Sequence, residues 1–90
     1  MTLESLRARI DGLDESLVRL LNERAACALE IGRLKREVGL PVYQPEREAE
    51  VLRRVRRVTQ DAGGPLGPDA MARLFERIID EARGLEKAAR

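Results

Sequence analysis

The chain has 90 residues, 43% hydrophobic and 37% charged, a composition that predicts a single folded, helix-rich domain. With no histidine, no tryptophan and only two aromatic residues, histidine catalysis and base-stacking platforms are excluded, and the net charge of +1 argues against a dedicated nucleic-acid binder. The lone Cys27 excludes an intrachain disulfide, and because neither a signal peptide nor an apolar run of about 18 residues is recognisable, we expect a cytoplasmic protein outside the membrane.

The first predicted helix spans about residues 3–38 and carries an apolar heptad repeat. Its two core positions hold Leu3, Ile10, Leu17, Arg24, Ile31 and Val38, and Leu6, Leu13, Leu20, Cys27 and Leu34. About 36 residues at roughly 1.5 Å each give a rod of about 54 Å, whereas a compact globule of this size measures about 30 Å across. The rod would overhang its own domain, so its apolar seam needs a partner and we expect a homodimer.

Two shorter helices are predicted after the first. The second, about residues 45–60, begins with Pro45, a favoured first-turn residue, and the Gly/Pro-rich segment 61–68 is a loop. The third, about residues 68–88, has the apolar stripe Met71, Leu74, Phe75, Ile78, Ala82, Leu85 and Ala89. Strand patterns are absent, so residues 1–90 are predicted to form one all-α domain of three helices, the first much the longest.

Charged residues interrupt the apolar faces at five positions, namely Arg24, Lys35, Arg47, Glu48 and Glu86. Arg24 occupies a heptad core position, and Lys35, eleven residues later, shares its face of the helix. Because an unpaired buried charge costs about several kcal/mol, such a set is either a structural ion network or a binding site. The network would pair Arg24 or Arg47 with Glu48 or Glu86. The binding site, with three cations against two carboxylates, would suit a small anionic ligand.

The chain also lacks the residue sets of several common chemistries. It has no Ser/His/Asp set, no phosphate-cradling glycine loop and no cluster of metal ligands. Any reaction at these charges must therefore proceed by holding a substrate and stabilising it electrostatically, without a covalent intermediate.

A resemblance to the all-helical class of chorismate mutases is carried by three stretches between Leu6 and Glu86, LRARIDGLDESLVRLLNERAACALEIGRLKR, PVYQPERE and LFERIIDEARGLE. Its most specific elements are Leu-Asp at 13–14, Glu-Arg at 23–24, Ile-Gly-x-x-Lys at 31–35 and Pro-x-Arg-Glu at 45–48. The resemblance implies an intertwined helical homodimer with two active sites. It also implies the Claisen rearrangement of chorismate to prephenate, in phenylalanine and tyrosine biosynthesis, with no cofactor.

Residue roles follow from the resemblance by motif position. Arg24 and Arg47 would bind the substrate carboxylates, and Lys35 would stabilise the negative charge that develops on the ether oxygen as the C–O bond breaks. Glu48 would accept a hydrogen bond from the ring hydroxyl and help to orient Lys35. Arg7 would enter the site from the other subunit. Arg7 and Arg24 are about 25 Å apart along one rod, so they meet on one ligand only across an antiparallel helix pair.

Three positions depart from the commonest pattern of the class. Gln44 stands where many relatives have Asp near the substrate hydroxyl, and Ala82 where some have a carboxylate-binding Ser. Glu86 stands where many have a Gln that donates to the ether oxygen. We hypothesise that Glu86 works in its protonated form, because burial favours the neutral carboxyl. The alternative is that Glu86 pairs with a nearby Arg.

Two other functions compete with a free-standing mutase. Domains of this class also occur fused to or associated with DAHP synthase, so the chain could be a regulatory or interaction module with weak or partner-dependent mutase activity. A plain coiled-coil dimerisation domain is disfavoured, because Arg24 and Lys35 lie within the seam.

Overall fold

A computed structural model describes all residues, 1–90, as three α-helices joined by two short loops. Helix α1 spans Leu3–Glu37, α2 spans Pro45–Ala62 and α3 spans Pro68–Ala88. The predicted all-α fold is confirmed. Helix α1 ends one residue before the predicted end because Val38 is its C-cap, and α2 continues two residues beyond the predicted end at 60.

The helix ends follow from local sequence chemistry. Thr2 and Ser5 form a capping box, in which each side chain accepts a hydrogen bond from the other residue's backbone N–H. Pro45 and Pro68 occupy the first turns of α2 and α3, where a missing N–H costs nothing. Gly63 ends α2 with a φ of 70°, a conformation that residues with a Cβ rarely adopt. These signals set where each helix begins and ends.

Helix α3 packs against both α1 and α2, which do not pack directly on each other. Its buried residues are Ala72, Ile79 and Glu86, spaced seven apart along one face. The packed face does not coincide with the predicted apolar stripe of this helix, since Leu74 and Leu85 of that stripe remain 53% and 41% exposed. The helix thus has a packed face and a neighbouring apolar face that no part of the chain covers.

The molecule is an elongated body of 54 × 24 × 15 Å, because α1 extends well past the other two helices. Its radius of gyration is 16.0 Å, against about 12 Å for a compact chain of this length. The apolar seam on the first half of α1 is exposed, at Leu3, Leu6, Ile10, Leu13, Leu17 and Leu20. None of the helices combines the length and hydrophobicity that crossing a membrane requires.

Candidate active site

A cavity of about 300 Å³ lies between the C-terminal half of α1, the start of α2 and the end of α3. Seven of the eight predicted site residues line it: Arg24, Lys35, Gln44, Arg47, Glu48, Ala82 and Glu86. A larger neighbouring groove of about 630 Å³ is lined mainly by α2, the 63–66 loop and α3, and lacks Lys35, Glu48 and Glu86. We therefore take the smaller cavity as the candidate site.

Lys35 is held on one wall by two acceptors. Its Nζ donates to the Val42 carbonyl oxygen at 2.9 Å and to Glu86 Oε1 at 3.1 Å. Val42 comes within reach because Gly39, with a φ of 75°, lets the chain turn back after α1. An ammonium group has three N–H donors, so one is left for a ligand. The Lys35 and Glu86 side chains are only 16% and 8% exposed, so this ion pair is shielded from water.

Gly32 explains how α3 comes close enough for this pair to form. A Cβ added at Gly32 would lie 3.0 Å from Glu86 Cγ and 3.1 Å from Glu86 Oε1, closer than ordinary carbon contacts. Gly32 is itself buried within α1. The missing side chain thus makes room for the Glu86 carboxylate, and the glycine of the Ile-Gly-x-x-Lys motif has a packing role.

Glu48 has a partner that sequence analysis missed. Arg83 Nε donates to Glu48 Oε2 at 3.1 Å, and Arg83 Nη2 donates to Glu48 Oε1 at 2.6 Å. The hydrogen bond to Glu48 is the main reason that the pKa of Arg83 is raised above its ordinary value, with the nearby charges of Glu48 and Asp80 adding to the effect. The spacing of residues in the sequence could have identified Arg83 as a site residue. It is four residues after Ile79 and three before Glu86, on the packed face of α3.

The two arginines predicted to bind carboxylates differ in their surroundings. Arg24 is half-buried on the cavity wall, and no salt bridge of the chain involves it. Arg47 borders the cavity but does not project inward as expected: its side chain is 65% exposed and pairs with Glu50 on the same helix. A partner three residues away is within easy reach, so it competes with the cavity for Arg47.

The alternative of a structural ion network is therefore wrong in its pairings. Neither Arg24 nor Arg47 forms a salt bridge with Glu48 or Glu86; instead, Lys35 pairs with Glu86, and Arg83 pairs with Glu48. The alternative that Glu86 pairs with a nearby Arg is also wrong, since its partner is Lys35.

The remaining predicted residues have simpler positions. Gln44 does not cap α2 with its side chain, which donates instead to the Pro41 carbonyl oxygen at 2.9 Å and so closes the turn between α1 and α2. Ala82 is partly buried on the cavity wall. Arg7 is exposed near the start of α1 and does not line the cavity of its own chain.

The cavity has more positive than negative charge. Four cations line it, Arg24, Lys35, Arg47 and Arg83, against the two carboxylates Glu48 and Glu86. Arg83 thus raises the predicted excess of one positive charge to two. No group of three or more acidic, cysteine or histidine side chains is arranged to hold a metal ion. The excess of positive charge suits a small ligand with two negative charges.

Comparisons with known proteins indicate the family of the chain. Residues 6–87 match the family model of chorismate mutase type II. The fold superposes on the Thermus thermophilus chorismate mutase (form II) with a TM-score of 0.88, at 35% identity over 94% of this chain and 93% of that one. It also superposes on the Helicobacter pylori chorismate mutase in complex with prephenate, with a TM-score of 0.85, at 33% identity over 97% and 91%.

A curated relative shows that such domains also occur within longer proteins. The Aquifex aeolicus bifunctional chorismate mutase/prephenate dehydratase is 40% identical over 86 residues, which are 94% of this chain and 24% of that protein. The chain thus spans about a quarter of the length of this relative. Because the family match covers nearly the whole sequence and the helices superpose throughout, the chain belongs to the chorismate mutase type II family.

Proposed function

We propose that the chain catalyses the rearrangement of chorismate to prephenate, as a step towards phenylalanine and tyrosine. One observation carries this proposal: a cavity of about 300 Å³ has two positive charges in excess, and one of its cations, Arg24, has no counter-ion in the chain. Chorismate is a small dicarboxylate, so its charge complements the cavity. The prephenate complex of the similar Helicobacter pylori chorismate mutase supports the same class of ligand.

Substrate binding would begin with the two arginines. Arg24 is half-buried and unpaired, so a carboxylate that reaches it gains a charge-assisted hydrogen bond without breaking an existing pair. Arg47 would exchange Glu50 for the second carboxylate, a modest loss because that pair is largely exposed. Holding both carboxylates restricts a flexible substrate to a conformation close to that of the transition state.

Lys35 would supply the electrostatic part of catalysis. Its third N–H is free, and the bonds to Val42 and Glu86 fix the direction in which it points. In the transition state it would meet the negative charge that develops on the ether oxygen. A million-fold acceleration corresponds to about 8 kcal/mol, which restriction of the substrate and one or two such contacts can supply.

The two carboxylates of the site would have different tasks. Glu48 would accept a hydrogen bond from the ring hydroxyl of the substrate. Glu86 Oε1 accepts a hydrogen bond from Lys35 in the ligand-free chain. We propose that Glu86 works in its protonated form when the substrate is bound, because only a protonated carboxyl has an O–H that can donate. It can then donate to the ether oxygen.

A homodimer would complete the site. The accessible surface of the single chain is 7068 Å², about 1,800 Å² more than the roughly 5,300 Å² expected for a folded monomer of 10.1 kDa. An excess accessible surface of this size is comparable to the area that a subunit buries in an obligate dimer. The groove of about 630 Å³ beside Arg24 and Arg47 offers an apolar surface to the exposed seam of a second α1. An antiparallel pairing would carry Arg7 of one chain to the cavity of the other.

Subunit complementation tests activity and assembly together. Arg7→Ala and Arg24→Ala chains, each expected to be nearly inactive alone, are unfolded, mixed in equal amounts and refolded, and the loss of chorismate is followed by absorbance. Half of the dimers would be hybrids with one intact site of two, so about a quarter of wild-type activity should return.

The matched control mixes Arg24→Ala with Lys35→Ala. These two residues would belong to the same chain's half of each site, so hybrid dimers have no intact site and activity should not return. Equal activity in both mixtures, or none in either, would contradict the shared site. A wild-type chain that consumes no chorismate would contradict the proposed activity itself.

Association with a second enzyme is the alternative proposal. The match to a domain of the bifunctional Aquifex aeolicus protein favours a module that works beside other catalytic domains. For the predicted partner, DAHP synthase, the test is turnover of chorismate by the purified chain with and without added synthase. A rise on addition would support a partner-dependent module, whereas unchanged turnover would support an independent enzyme. A cytoplasmic location also remains a prediction.

A further inference from the structure

We infer that Arg83 is a positioning residue for the proposed reaction: it fixes the Glu48 carboxylate so that the free lone pairs of this group face the cavity and accept from the substrate hydroxyl. The inference rests on the proposed function, because it concerns how Glu48 meets the substrate. Arg83 is not among the predicted site residues, although it lies in the stretch LFERIIDEARGLE.

The geometry shows why Arg83 acts through Glu48 and is not itself a ligand-binding group. All three guanidinium nitrogens already face carboxylates: Nε and Nη2 donate to the two oxygens of Glu48, and Nη1 lies 3.1 Å from Asp80 Oδ1. The Tyr43 ring covers the guanidinium at 5.2 Å from its centroid. Two parallel hydrogen bonds fix both the position and the plane of the Glu48 carboxylate.

This pairing also protects the electrostatics around Lys35. The cavity contains two carboxylates, and a Glu48 without its own cation would compete with Glu86 for the Lys35 ammonium. Lys35 would then turn its free donor away from the position of the ether oxygen. By engaging both oxygens of Glu48, Arg83 keeps the two carboxylates on separate partners, so that one orients Lys35 and the other receives the hydroxyl.

A double-mutant cycle tests whether Arg83 works through Glu48. The variants are Arg83→Gln, Glu48→Gln, the double variant and Arg83→Lys, with Arg77→Gln as the matched control because Arg77 pairs with Glu81 on the exposed side of the same helix. We expect Arg83→Gln to lower kcat/KM about 100-fold, as misplacement of a contacting group does. In the Glu48→Gln background the same change should cost no more than about twofold further.

Arg83→Lys should recover part of the loss, since it restores the charge but not the two-point contact, and Arg77→Gln should leave kcat/KM unchanged. Independent losses that multiply in the double variant would overturn the inference. So would an Arg83→Gln variant that unfolds at a lower temperature but keeps wild-type kcat/KM, because that is the signature of a purely structural pair.

A second measurement does not depend on turnover. The Arg83 Nε–H proton, hydrogen-bonded to Glu48, should exchange slowly with solvent in an NMR experiment on the wild type and rapidly in Glu48→Gln. Slow exchange in a wild type that converts no chorismate would overturn the proposed function while supporting the pair. Rapid exchange in the wild type would overturn the inference whatever the turnover.

Discussion

Gly32→Ala is a one-carbon change whose effect can be worked out from the structure. The added methyl group would lie 3.0 Å from Glu86 Cγ and 3.1 Å from Glu86 Oε1, a few tenths of an ångström inside normal contact. Glu86 cannot retreat easily, because it is buried and bonded to Lys35. The methyl group should therefore displace the carboxylate and disturb the direction of the Lys35 ammonium.

Two opposing contributions decide the stability of this variant. Replacing Gly by Ala inside a helix stabilises it by about 1 kcal/mol. Overpacking a tight contact costs about 1–3 kcal/mol. The net change should lie between about zero and 2 kcal/mol of destabilisation, with turnover lowered about tenfold through the misplaced Lys35.

Gly84→Ala is the matched control, since Gly84 lies within α3 and a Cβ added there meets nothing within 4 Å. Gly84→Ala should gain the full stabilisation of about 1 kcal/mol from the higher helix propensity of alanine. Its Tm should therefore rise by about 4–8 °C, with turnover unchanged. The assay is thermal unfolding by circular dichroism at one protein concentration, together with chorismate turnover. If Gly32→Ala proves as stable as Gly84→Ala and fully active, then Glu86 moves aside freely and the packing argument is refuted.

Two further substitutions test the charges of the site. Lys35→Ala should lower kcat by several orders of magnitude and not merely weaken substrate binding, because the contact strengthens in the transition state; a mild loss would show that another group supplies the stabilisation. If Glu86 donates as an acid, wild-type kcat should fall as pH rises, and Glu86→Gln should flatten the pH profile of kcat; equal pH dependence of the two enzymes would contradict the protonated role.

Periodicity and end signals were enough to predict the helices. The heptad of α1 recurs along the whole helix, and a proline in each first turn marks the starts of α2 and α3. The same periodicity showed that Arg24 and Lys35 are charges on an apolar face, because side chains eleven residues apart lie on the same face of one helix. These inferences depend only on relations within a single helix.

Helical periodicity could not predict which charged residues pair with each other between helices. Lys35 and Glu86 are 51 residues apart and Glu48 and Arg83 are 35 apart, so these contacts depend on how close and at what angle the helices lie. Arg47 lines the cavity but does not project inward as predicted, because its neighbour Glu50 competes locally for the guanidinium.

The sequence by itself determined three helices, a first helix too long for its own domain, and a set of charges on the apolar faces. Those charges had to bind an anionic ligand or pair with one another. Only the tertiary structure decided how those charges are shared. The turn at Gly39 returns the Val42 carbonyl to Lys35, and the missing side chain of Gly32 admits Glu86. An ion pair between two helices is gained or lost when the distance between the helices changes by a few tenths of an ångström. Helical periodicity carries no information about that distance.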